Sequence, residues 1–126
     1  MDANYNRAKE GLRVCEDLCR FVLDEKDLTS GFKKVRHDLT QAIKSFGLKE
    51  IVTARDILKD VGKKTVDEES KRFSAEDLLY SNSQRVKESL RVLEEFAKLV
   101  NIKAAERLKG LRYKFYDLEK EAFGRL

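Results

Sequence analysis

The stretch NYNRAKEGLRVCED at residues 4–17 returns as NSQRVKESLRVLEE at residues 82–95. Positions 2 to 22 match positions 80 to 100 at nine sites, Asn4/Asn82, Arg7/Arg85, Lys9/Lys87, Glu10/Glu88, Leu12/Leu90, Arg13/Arg91, Val14/Val92, Glu16/Glu94 and Val22/Val100, where chance gives about one or two. A second correspondence, offset by 76 residues, pairs Phe32 with Leu108, Val35 with Leu111, Arg36 with Arg112 and His37 with Tyr113. A two-residue slip between the offsets is what a shortened connection leaves. The pattern predicts a duplicated helical hairpin whose halves, about 2–47 and 74–124, pack about a pseudo-twofold axis and are joined by residues 48–73.

Composition narrows the class. The chain has 126 residues, enough for one domain with its own core and too few for a (β/α)8 barrel. It contains no proline, and its six glycines are scattered, so the frequent turns of a β-sandwich have no residues to make them. An all-α, single-domain helical bundle over residues 1–126 is the expected fold. The 27 basic and 23 acidic residues interleave, giving a net charge of +4; this is mildly anion-seeking and lacks the basic tract of a nucleic-acid binder. With no leader-like start and no apolar run near the ~20 residues of a membrane span, a cytoplasmic location is expected. Cys15 and Cys19, four apart beside Leu12 and Val22, read as reduced core thiols. One histidine in the whole chain leaves too few ligands for a tetrahedral zinc site.

Periodicity predicts five helices. The first covers residues 3–24 with Asp2 placed as its cap; the second starts near Thr29 or Ser30 and runs to Phe46, with Gly47 as its stop. A short helix is expected over residues 48–54. The following stretch, RDILKDVGKKTVDEESKRF, reads as a long loop. Ser74 and Asp77 resemble a capping box opening a helix from Ala75 to about Val100, and a last helix carries Leu108, Leu111, Phe115, Leu118 and Ala122.

Repeated apolar residues follow from a shared buried face. Repeated charges do not, because a solvated face accepts almost any polar residue. Intrahelical pairs such as Arg13 with Asp17 or Arg91 with Glu95 contribute only about 0.2–0.5 kcal/mol each and would accept lysine. At 3.6 residues per turn, Val14, Leu18 and Phe21 fall close to Arg7 in angle, and Val92, Phe96 and Leu99 close to Arg85. Arginines on such a flank are partly desolvated and need a partner, which is either a carboxylate or a bound anion. In the linker, Arg55, Asp56 and Asp60 precede Gly62 and two lysines, mixing phosphate-seeking cations with acids suited to Mg2+. No P-loop, G-x-G-x-x-G or catalytic triad pattern occurs, so any phosphate site must be made of side chains and helix ends.

Taken together, DANYNRAKEGLRVCED, VRHDL, ARDILKDVG and SNSQRVKESLRVLEE resemble a small family of hydroxymethylpyrimidine phosphate kinases of thiamine biosynthesis, found alone or fused ahead of thiamine phosphate synthase. The resemblance extends over nearly the whole chain. It implies transfer of the γ-phosphate of ATP to 4-amino-5-hydroxymethyl-2-methylpyrimidine phosphate, with ATP and Mg2+ as the cofactors. No synthase portion follows, which is the pattern of a standalone member or of a domain taken from a fusion. On this basis Arg7, Arg13, Arg55, Arg85 and Arg91 are the expected cationic clamp. Asp56 and Asp60 are the expected Mg2+ ligands, with Glu10 and Glu88 as the alternatives. Asn4 and Asn82 either bind the pyrimidine or cap local backbone, and His37 either contacts substrate or satisfies a backbone carbonyl. The partners expected are the pyrimidine phosphate and ATP, a thiamine phosphate synthase, and a second copy in a homodimer, with no nucleic acid or membrane. The rival reading is a non-catalytic accessory or regulatory domain of the synthase.

Overall fold

A computed structural model describes residues 2–44 and 74–126. They form four helices and no strand: α1 (Asp2–Phe21), α2 (Lys26–Lys44), α3 (Ala75–Ala97) and α4 (Ile102–Gly124). The short helix expected over residues 48–54 and the loop after it lie outside the described residues.

Local chemistry sets most of the ends. Ser74 is extended and its Oγ accepts from the Asp77 amide at 3.1 Å, as the capping-box pattern requires; Asn101 caps α4 in the same way, accepting from the Ala104 amide at 3.2 Å. The helix α1 stops three residues earlier than its sequence suggests. The amides of Leu23 and Glu25 bond the carbonyls of Leu18 and Cys19 across a left-handed Asp24 with φ 52°, one of the few non-glycine residues that tolerate that region. The start of α2 differs too. Thr29 does not cap it; its hydroxyl donates to the Glu25 carbonyl at 2.8 Å from inside a helix that begins at Lys26. At the far end of α3, the amides of Leu99 and Asn101 turn back to Phe96 and Ala97, so that helix closes at Ala97 and not at Val100.

The helices form a square in which α1 lies beside α2 and α3, and α4 beside α3 and α2. Gly11 of α1 meets Val86, and Cys15 meets Ser83, so α1 and α3 run in opposite directions. Across the other side, Gly31 meets Leu118 and the Phe32 and Phe115 rings pack edge to face at 5.7 Å. Exchanging α1 with α3 and α2 with α4 maps each packing onto its counterpart, as the repeat implies. The core gathers Leu12, Phe32, Leu39 and Ile43 with Leu90, Leu93, Leu108 and Phe115. Burial pushes the Cys15 thiol up to about 12 and the Cys19 thiol to about 11, so both stay protonated and unreactive at neutral pH. Among the described residues no helix is long and apolar enough to cross a membrane.

The halves are not copies in volume. In the first, the Tyr5 hydroxyl reaches Thr40 at 3.3 Å; the equivalent pair in the second is Ser83 and Tyr116, with the large and small residues exchanged between helices. The α1/α3 contact is close enough to need a glycine. A Cβ at Gly11 would stand 2.7 Å from Val86 Cγ2 and 3.0 Å from the Asn82 carbonyl, whereas one at Gly110 would meet nothing within 4 Å. Gly11→Ala is therefore expected to destabilise by about 1–3 kcal/mol and Gly110→Ala to stabilise by about 0.5–1 kcal/mol. Thermal melts of the two variants should move in opposite directions.

Candidate functional site

The repeated charges separate into two sets. The first is internal. Glu16 is fully buried and accepts from Arg36 Nε at 3.0 Å and from Arg20 Nη2 at 2.9 Å. Its equivalent, Glu94, accepts from Arg112 Nε at 2.9 Å and from Arg91 Nη1 at 3.4 Å. Each carboxylate thus ties the two helices of its own hairpin together. Burial opposes ionisation of Glu16, but the Arg36 hydrogen bond and the charges of Arg36, Arg13 and Arg20 outweigh it and hold the carboxyl below its usual range. The Arg112 guanidinium is held protonated by its bonds to Glu94 and to the Tyr116 hydroxyl, the latter at 3.1 Å.

This relocates the desolvated arginines. Arg36 and Arg112 retain 16% and 11% of their side-chain exposure, against 34% for Arg85. The apolar flank that suggested otherwise is itself largely open to solvent, with Phe21, Phe96 and Leu99 exposed. The signal for the internal clamps was present in the sequence, because Arg36/Arg112 and Glu16/Glu94 are both identical charged pairs between the halves.

The second set is external. Arg85 Nη2 lies 3.8 Å from Glu10 Oε2, a long contact to an exposed carboxylate. Arg7 is half-buried and has no ion-pair partner among the described residues. Arg7 sits one turn before Glu10, and Glu88 one turn after Arg85, so the four share the outward face of the α1/α3 crossing. Arg13 stands apart, pairing with Asp17 at 3.5 Å, and Arg91 is committed to Glu94 and Glu95. Asn82 is buried and its side-chain amide donates to the Leu78 carbonyl at 2.9 Å, a local backbone bond of the kind that was one of its two expected uses; Asn4 is half-buried. His37 is exposed on the outer face of α2. Arg55, Asp56 and Asp60 lie outside the described residues. Among the described residues no three of His, Cys, Asp or Glu gather as a metal site, so Glu10 and Glu88 need acids from elsewhere to complete one. Carboxylates of this kind are suited to a hard cation such as Mg2+.

The profile of the ThiD2 family matches residues 1–121. The chain is 41% identical over 125 residues to a thiamine-phosphate synthase of Synechocystis sp., covering 98% of this chain and 35% of that protein. It is 39% identical over 125 residues to a thiamine-phosphate synthase of Nostoc punctiforme, covering 98% and 34%, and 35% identical over 123 residues to one of Rhodopirellula baltica, covering 96% and 32%. The chain therefore spans about a third of the length of these curated relatives. No solved structure matches it.

Proposed function

Because this chain belongs to the ThiD2 family, whose matched relatives are thiamine-phosphate synthases, we propose that within thiamine biosynthesis it phosphorylates 4-amino-5-hydroxymethyl-2-methylpyrimidine phosphate with ATP. The observation that carries this reading is the pair Arg7 and Arg85. Helical spacing puts them on one face at the α1/α3 crossing, and among the described residues the one ion pair that competes for them is the long contact of Arg85 to the exposed Glu10. Two guanidinium groups so placed are suited to drawing two phosphorylated molecules together, each fork matching a phosphate through two parallel N–H donors.

In the step proposed, an anionic oxygen of the pyrimidine phosphate attacks the γ-phosphorus of ATP, a new P–O–P bond forms, the β–γ bridge breaks, and ADP leaves with the electron pair. A phosphate monoester has a second pKa of about 6, so near neutrality the attacking oxygen is already ionised and no side chain has to take a proton. Arg7 and Arg85 orient the two phosphates and offset their repulsion. Mg2+, held by carboxylates among Glu10, Glu88, Asp56 and Asp60, would neutralise charge on the ATP phosphates.

The test is direct. Purified chain with ATP and Mg2+ should release ADP on addition of the pyrimidine phosphate and do so far less with the unphosphorylated alcohol, because the alcohol leaves an arginine unpaired. His37→Gln should reduce the rate only modestly. Equal kcat/KM on both acceptors, or loss of turnover in His37→Gln with the fold intact, would place a general base in the site and overturn the reading. Coverage of about a third of the relatives' length favours one second reading, an accessory domain acting on a synthase; absence of ADP release with every acceptor would support it.

A further inference from the structure

The two ends of the α1/α3 seam are equivalent in the repeat but not in how their polar groups are satisfied. At one end Asn82 donates its amide to the Leu78 carbonyl at 2.9 Å, Arg85 contacts Glu10 at 3.8 Å, and Gly11 has no side chain to satisfy. Their equivalents at the other end are Asn4, Arg7 and Ser89. Among the described residues the side chains of Asn4 and Arg7 have no hydrogen-bond or ion-pair partner, and Glu88, the counterpart of Glu10, is exposed and does not pair with Arg7. Ser89 is 1% exposed, and its hydroxyl is the one buried side-chain polar atom left unbonded among those residues. Buried polar groups are ordinarily paired. Three open groups at one end, against none at the other, point to a ligand at the open end.

Placement follows from the antiparallel register. Gly11 meets Val86 and the Asn82 carbonyl, so the same packing in the other half sets Ser89 against Ala8 and beneath Asn4. Asn4 and Arg7 lie one turn apart on one face of α1. Phe96, two turns beyond Ser89 on α3, brings a ring 49% exposed to the same end, where the other half has the buried Leu18. An amide, a guanidinium and an apolar surface so grouped suit a small planar heterocycle that carries both an amine edge and a phosphate. The proposed acceptor is such a molecule. Its 4-amino group lies between a ring nitrogen and the carbon bearing the phosphorylated hydroxymethyl, so its edge and its phosphate need partners about one turn, or about 5.4 Å, apart.

We propose that the Asn4 end of the seam is the acceptor subsite, one per chain, with Asn4 reading the aminopyrimidine edge, Arg7 holding the phosphate and Ser89 positioning the amide. Asn4 Oδ1 accepts from the amine and Nδ2 donates to the adjacent ring nitrogen, as asparagine does on adenine; the second Nδ2 proton goes to the Ser89 hydroxyl. Arg85, at the closed end, is left for the nucleotide phosphates. The choice of ligand rests on the phosphotransfer reading. Calorimetry with and without a non-hydrolysable ATP analogue tests it, using the pyrimidine phosphate and the same molecule lacking its 4-amino group. The natural chain should bind one equivalent and prefer the amine-bearing ligand about 10-fold or more. Asn4→Ala, its fold checked by a thermal melt, should lose that preference. Ser89→Ala should reduce it while melting no lower than the natural chain, because the substitution removes an unbonded hydroxyl. Unchanged preference in Asn4→Ala, or two equivalent sites, overturns the subsite, and ADP release by the natural chain then leaves the kinase reading standing. Preference lost in Asn4→Ala without any ADP release supports the subsite and overturns the kinase reading. No binding of the pyrimidine phosphate by the natural chain overturns both. Early melting of Ser89→Ala with its preference intact would make Ser89 structural and overturn its positioning role.

Discussion

Glu94→Gln is expected to destabilise the bundle by about 3–5 kcal/mol, a large share of the 5–15 kcal/mol typical of a domain. The reason lies in what it leaves behind. Arg112 keeps only 11% of its side-chain exposure, so without the Glu94 carboxylate a cation stays enclosed beside a neutral amide and the Tyr116 hydroxyl, with no bonded countercharge. Thermal unfolding should drop by about 10–20 °C. The same substitution at Glu16 tests the mechanism through pH. Glu16 is held ionised below its usual range, so its contribution is complete above the unfolded value of 4.5 and is lost as pH falls through the lower folded value. Acid unfolding of the natural chain should therefore be steeper than that of Glu16→Gln, with the two stabilities converging at low pH. A constant gap between the curves down to the lowest pH would show that ionisation of Glu16 is not what holds α1 to α2.

The second large effect is kinetic. Arg85→Lys keeps the charge and removes the planar fork, and kcat/KM for the pyrimidine phosphate should fall at least about 10-fold, equivalent to about 1.4 kcal/mol. The melting temperature should hardly move, because the ion pair that the substitution disturbs is 3.8 Å long and reaches an exposed Glu10. Arg112→Lys should behave in reverse, costing stability through its two fixed bonds to Glu94 and Tyr116. If Arg85→Lys melts early and retains its kinetics, the outer arginines are structural, as the inner ones are.

The architecture was legible because duplication and 3.6-residue periodicity are both written along the chain, and because Ser74 with Asp77 is a cap recognisable from two residues. Thr29 was not legible in that way. A threonine reads alike whether its hydroxyl caps the next turn or bonds the carbonyl four residues back, and here the Glu25 carbonyl takes it. The pairing of the repeated arginines and carboxylates was legible in kind and misplaced in part. A helical wheel gives the angle of Arg7 or Arg85 but not what stands opposite, so it could not show that Glu16 and Glu94 draw their arginines from the neighbouring helix. Nor could it show that Phe21, at the end of the apolar run, is left exposed. The linker residues Arg55, Asp56 and Asp60 belong to a stretch without helical period, where neither angle nor neighbour can be read from sequence.

The exchange of Tyr5 and Thr40 for Ser83 and Tyr116 makes each hairpin a repacking trial of the other. One half already records a pair of changes that the other should accept together and resist singly. Tyr5→Ser alone opens a void in the first hairpin, and Thr40→Tyr alone crowds it. Made together they rewrite the first hairpin in the idiom of the second, and the coupling energy between them measures how far two sequences descended from one hairpin still obey the same packing grammar.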